Sequence, residues 1–212
     1  MTNRRERALR AALVLAGALT LGACGSARYP ARYILNFEPS PQATALRAST
    51  GTLAVRDLRC PDYLCEGRIV YRPTPAEVAY YEFHRWAASP GAMIAQHLAA
   101  RVRARSIFAS VADDESRSPS DFVLSGTIEQ LEEVDEGRQI AAVCTISAQL
   151  FDTRKGSVVW SRTATERIGV GQRDVAGVVN ALTTAVRSSV DVLVADMERE
   201  LEGSAASPHH PH

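Results

Sequence analysis

The chain has 212 residues, 24 Lys plus Arg against 24 Asp plus Glu, and 46% hydrophobic residues. That length suits one domain or two, and the apolar share excludes a chain disordered throughout. A formal charge of zero offers no basic excess for nucleic acid, and four Cys are too few for a disulfide-dense scaffold.

The chain opens on a basic start: Arg4, Arg5, Arg7 and Arg10. Leu9 and Ala11–Leu21 form an apolar run broken only by Gly17 and Thr20, and Leu21-Gly22-Ala23-Cys24 follows at once. A charged stretch, a short apolar stretch and small residues before a cut site describe an export signal, residues 1–23. The run is shorter than the ~20 residues that span a bilayer. Leu21-Gly22-Ala23-Cys24 resembles a bacterial lipobox, in which the Cys thiol is acylated before cleavage. The alternative is an ordinary signal peptide with a Cys near its cut site. By resemblance to bacterial lipoproteins, mature Cys24 carries three acyl chains and holds the protein to a membrane. Gly25, in place of Asp, suggests the outer membrane, with the domain facing the periplasm. The leader takes four Arg and one Glu with it. The mature chain of 189 residues therefore has 20 basic and 23 acidic residues, a net of −3.

Residues 24–31 are the lipidated Cys and a short tether. Residues 203–212 read as a disordered tail, whose His209, His210 and His212 lack the fixed partners a closed metal site needs. Between them, residues 32–202 read as one α+β domain: a mixed, largely antiparallel sheet with two helices on one face. Strands are expected at 32–37, 52–58, 69–72 and 77–83, the last two separated by Pro73-Thr74-Pro75. Ser89-Pro90 starts a helix, with Ser as N-cap, and Met93, Ile94, His97, Leu98, Arg101 and Val102 keep helical spacing. A short strand at 107–111 and a polar loop at 113–120 follow. Segments 122–134, 139–151 and 157–167 alternate and are joined by turn sequences, so they form a three-stranded meander. On the middle strand Ile140, Ala142, Cys144, Ile146, Ala148 and Leu150 share the apolar face. Asp174 caps a long last helix whose stripe runs from Val175 to Leu201 and packs on the sheet, a coiled coil being the alternative.

Cys60-Pro61-Asp62-Tyr63-Leu64-Cys65 places two thiols around a turn-forming pair. Export to an oxidising compartment allows a disulfide, and two unpaired structural thiols are the alternative. Cys144 reads as a buried small hydrophobe. His84 and His97 have no nucleophile–acid constellation in sequence, and no phosphate loop, Gly-x-Ser-x-Gly elbow or metalloprotease helix is present. Neither catalysis nor a cofactor is expected. Tyr71 to Trp86 is rich in aromatics. Tyr80, Tyr81, Phe83 and Trp86 read either as a sheet-to-helix core joint or as a surface for a partner or lipid.

With these residues placed, the chain resembles the ABC-type transport auxiliary lipoprotein family, the group that includes the PqiC lipoproteins. The resemblance covers Tyr33 to Leu201. It is carried by the lipobox, Tyr33-Ile34-Leu35, Pro61-Asp62-Tyr63-Leu64, Arg68-Ile69-Val70-Tyr71-Arg72, Tyr80-Tyr81-Glu82-Phe83-His84-Arg85-Trp86-Ala87, Asp121-Phe122-Val123-Leu124-Ser125-Gly126 and Val158-Val159-Trp160. Cys60 and Cys65 fall outside the pattern. The resemblance implies a non-catalytic accessory subunit of an MCE-type lipid transporter. Its partners would be an MCE-domain protein and the ABC permease and ATPase, with phospholipids or related apolar molecules passing. Self-association into a homo-oligomer stays open. Two alternatives come from other classes: a periplasmic carrier with an apolar pocket between sheet and helices, and an outer-membrane assembly lipoprotein.

Overall fold

The structure, a computed structural model, describes residues 29–38, 51–113, 119–135, 137 and 139–206. The leader, Cys24 and the His-bearing end of the tail lie outside the described residues, as does much of the loop expected at 113–120. Eight strands form one mixed sheet. They are β1 (Ala31–Tyr33), β2 (Thr52–Val55), β3 (Arg68–Thr74), β4 (Glu77–Trp86), β5 (Ser110–Asp113), β6 (Phe122–Asp135), β7 (Ile140–Asp152) and β8 (Ser157–Gly169). The helices are α1 (Asp62–Cys65), α2 (Pro90–Arg105) and α3 (Val175–Ala206).

The long ladders are antiparallel. β6 pairs with β7 from Phe122↔Asp152 to Asp135↔Ile140, and β7 pairs with β8 from Ala141↔Gly169 to Asp152↔Ser157. Asp152 builds the second turn: its carboxylate accepts the N–H groups of Arg154 and Lys155, and Gly156 takes the left-handed φ of 66°. Along β7, Ala142, Cys144, Ile146, Ala148 and Leu150 are buried, as the alternation requires. On the opposite face Thr145 and Ser147 hydrogen-bond across to Thr165 and Thr163. The stripe of α3 covers the apolar face, with Val178, Leu182, Ala185, Val186 and Val190 all at 0% exposure. The Asp174 carboxylate accepts the Gly177 N–H at 2.7 Å and caps this helix. By length and composition α3 is apolar enough to cross a membrane, yet here its stripe is core. At its far end the Trp160 indole N–H donates to Asp196 at 2.9 Å.

The other edge of β6 is divided between two strands laid end to end. β2 runs parallel to Phe122–Leu124, Arg59 bridges to Thr127, and β3 runs parallel to Glu132–Val134. β5 extends the sheet beyond β2, and β4 then β1 extend it beyond β3. Between β2 and β3 the chain passes through Leu58 and α1. Gly91, at the start of α2, lies so close that a Cβ there would be 2.1 Å from the Leu58 carbonyl oxygen. Only Gly permits that approach.

Several boundaries differ from the sequence reading. β1 ends at Tyr33, not at 37, because Phe37 turns away to stack on His97. β2 ends at Val55, since Leu58 leaves the strand to meet Gly91 and Gly126. The strand expected at 107–111 begins at Ser110: Ser106 takes a left-handed φ of 52°, and Ile107 and Phe108 fill the core as a turn. β4 runs on to Trp86 because β1 pairs with its last residues. Ser89 is the N-cap of α2 by position but makes no side-chain cap bond. α3 continues to Ala206, into the segment read as tail. Helix α1 was not expected at all.

Candidate functional site

The aromatic residues of β3 and β4 meet two consecutive glutamates of β6. Neighbouring residues on a strand point to opposite faces. Glu132 and Glu133 therefore need separate partners, and both are buried, at 0% and 7% exposure. Arg72 serves Glu132 with a two-pronged contact, Nε to Oε1 and Nη2 to Oε2, each 2.9 Å. A planar guanidinium suits this geometry as an ammonium would not. Tyr63 of α1 lies beside this pair; burial, then the negative charge of Glu132, pushes its phenol up from the usual tyrosine range. On the other face the Tyr81 hydroxyl donates to Glu133 Oε2. Burial first, then this hydrogen bond, raises the Tyr81 phenol well above its ordinary value. Neither carboxylate thus stands unpartnered in the core.

The aromatics form chains of ring contacts rather than one patch. Tyr71 and Tyr81 have ring centroids 5.0 Å apart, and Tyr81 meets His84 edge-on at 5.9 Å. The His84 Nδ1 and Tyr33 hydroxyl are 3.0 Å apart. Arg68 lies over the Tyr80 ring at 5.2 Å.

Of the four residues considered for a partner surface, Trp86 is only 4% exposed and belongs to the core. It is withdrawn as a contact residue, because an indole so buried presents no face to a partner. Tyr80, Tyr81 and Phe83 are half-buried, with strand alternation sending Tyr80 and Tyr81 to opposite faces. The joint is thus largely core packing, with Tyr80 and Arg68 at its outer side.

Cys60 and Cys65 stand at the two ends of α1 with Cα atoms 5.9 Å apart, and the structure joins them as a disulfide. The closed turn holds Tyr63 beside Arg72 and Glu132, a link that sequence spacing did not reveal. Cys144 is a buried free thiol, and burial pushes its pKa up to about 12. No group of three or more His, Cys, Asp or Glu fit to hold a metal occurs among the described residues. The space between sheet and helices bounded by Leu98, Leu124, Trp160, Leu193 and Met197 is filled by these side chains.

Among solved structures the fold matches protein XCC0632 from Xanthomonas campestris, with a TM-score of 0.73 at 23% identity, covering 84% of this chain and 100% of that one. A second match, to an uncharacterized protein, has a TM-score of 0.63 at 15% identity and covers 80% and 99% of the two chains. At these identities the likeness is one of fold. No curated protein matches in sequence. Residues 33–201 match the family described as the ABC-type transport auxiliary lipoprotein component. The chain belongs to that family of transport auxiliary lipoproteins.

Proposed function

We propose that the chain is a non-catalytic accessory lipoprotein of an MCE-type ABC lipid transport system. Acylated Cys24 anchors it at the outer membrane, and its domain faces the periplasm to hold or receive the transport assembly. The observation that carries this reading is the family match across residues 33–201 directly behind a lipobox. The partners are an MCE-domain protein with its permease and ATPase, and phospholipid is the passing molecule.

The test is mild crosslinking of cells followed by capture of the tagged full chain. MCE and permease subunits are expected in the captured material, and their absence sinks the reading. Cys24→Ser tests the anchor separately: the protein is expected in the soluble fraction or unprocessed. Unchanged attachment with normal processing rules Cys24 out as the anchor.

A further inference from the structure

Beyond β1, residues 34–38 leave the sheet and lie along α2. A groove of about 440 Å³ opens between them, lined chiefly by Ile34, Leu35, Phe37, Met93, His97 and Ala100. Below its apolar wall lies a buried polar side chain. His97 is 6% exposed, and its Nε2 has no hydrogen-bond partner. The imidazole stacks on Phe37 with centroids 3.8 Å apart. The charged groups facing it are Arg101 of α2 and Arg187 and Asp191 of α3; burial, then Arg101, lowers its pKa to about 4. The floor is therefore uncharged near neutral pH. The one charged residue lining the groove is Glu38, which disfavours entry of an anionic head. Such a site accepts an apolar chain whose charged end stays outside.

Position decides what that chain belongs to. Ile34 follows Cys24 by ten residues, a reach of at most ~36 Å when extended. A protein tethered at Cys24 thus holds this groove close to the leaflet. Tyr29 and Ile34, at 87% and 55%, are the most exposed large hydrophobics among the described residues, and both lie on the segment leading from the tether to the groove. An amphipathic Tyr beside an exposed Ile suits a membrane interface.

We propose that the groove takes one acyl chain of a phospholipid from the leaflet that carries the lipid anchor, with the phosphate outside. This deepens the transport reading and rests on Cys24 being the anchor. The test uses the full chain as the lipoprotein and as the Cys24→Ser form. Each is mixed with phosphatidylethanolamine vesicles that contain a lipid with a photoreactive acyl chain. Label is expected in peptides covering 34–38 and 88–100 in both forms. It is expected to fall about tenfold in Ala100→Trp, which fills the groove from an exposed position. Ile34→Asp, also at an exposed position, is a second variant should the first melt early. Label spread over the whole surface, or unchanged in both folded variants, overturns the proposal. Label confined to the Cys24→Ser form also overturns it, since the groove then holds the protein's own acyl chain. Capture of transporter subunits does not depend on the groove. Lost labelling with capture intact defeats only this proposal, and labelling without capture defeats only the transport reading.

Discussion

The two sides of β6 are built on different rules. On one side β7 and β8 follow it in sequence, pair along almost their whole length and lie under a single apolar helix. On the other side β2 and β3 share its edge end to end, with a disulfide-closed turn between them and one charged pair, Arg72–Glu132, in the core. The first side is held by continuous apolar area. The second is held by a few specific contacts, each serving a group that burial would otherwise penalise. The first side therefore tolerates volume-conserving change, and the second is sensitive to which partner is lost.

The largest expected effect lies on the apolar side. Leu193→Ala, at a position 1% exposed, should cost about 2–5 kcal/mol in a urea unfolding titration. On the other side Arg72→Ala leaves Glu132 buried without its cation and should cost roughly 3 kcal/mol. Replacing both residues with apolar ones of similar size should recover most of that. If the double variant is no better than the single, the pair is not what the region depends on.

His97 tests the same contrast through pH. Its folded pKa of about 4 lies below the ordinary 6.5, so between those values the unfolded chain binds more protons. The stabilisation is complete above pH 6.5 and is lost as pH falls toward 4, by up to ~3 kcal/mol. Unfolding midpoints at pH 7 and pH 4.5 should converge in His97→Gln. Equal slopes in the parent and the variant would assign the acid sensitivity elsewhere.

Reducing Cys60–Cys65, or replacing both with Ser, should cost ~2 kcal/mol or less, because the loop closed is short. Non-reducing mass spectrometry checks the bond itself, since free thiols at both positions would refute it. The smallest effect is Tyr81→Phe, which deprives Glu133 of its donor at roughly 1–2 kcal/mol. If capture of transporter subunits falls further than that loss explains, the aromatic joint takes part in binding as well as packing.

How well the sequence could be read follows the same division. The meander was legible because its strands are consecutive, alternate cleanly and end in turns such as Asp152–Gly156, where local chemistry fixes the pairing. The α3 stripe was legible for the same reason: its period is local. The sharing of β6 between β2 and β3 was not, since parallel pairing of distant strands leaves no mark at short range. The halves of the aromatic site were visible as residues but not as partners. Nothing near Arg72 or Tyr81 announces Glu132 and Glu133, some sixty and fifty positions away, and two adjacent Glu normally read as a solvated turn or strand end. Trp86 stayed open between core joint and contact surface in sequence, because an aromatic beside a helix start serves both; its 4% exposure sides with the core.

β1 carries a consequence of its own. It is three residues long, pairs among the described residues only with the end of β4, and is the first described strand after the tether. If Cys24 is the anchor proposed above and a partner holds the domain, tension on the tether would enter the described fold at these three residues. The β6–β7 ladder, more than four times longer, lies far from that line of force. Under pull β1 should detach first, carrying Ile34, Leu35 and Phe37 off α2 while the meander stays whole.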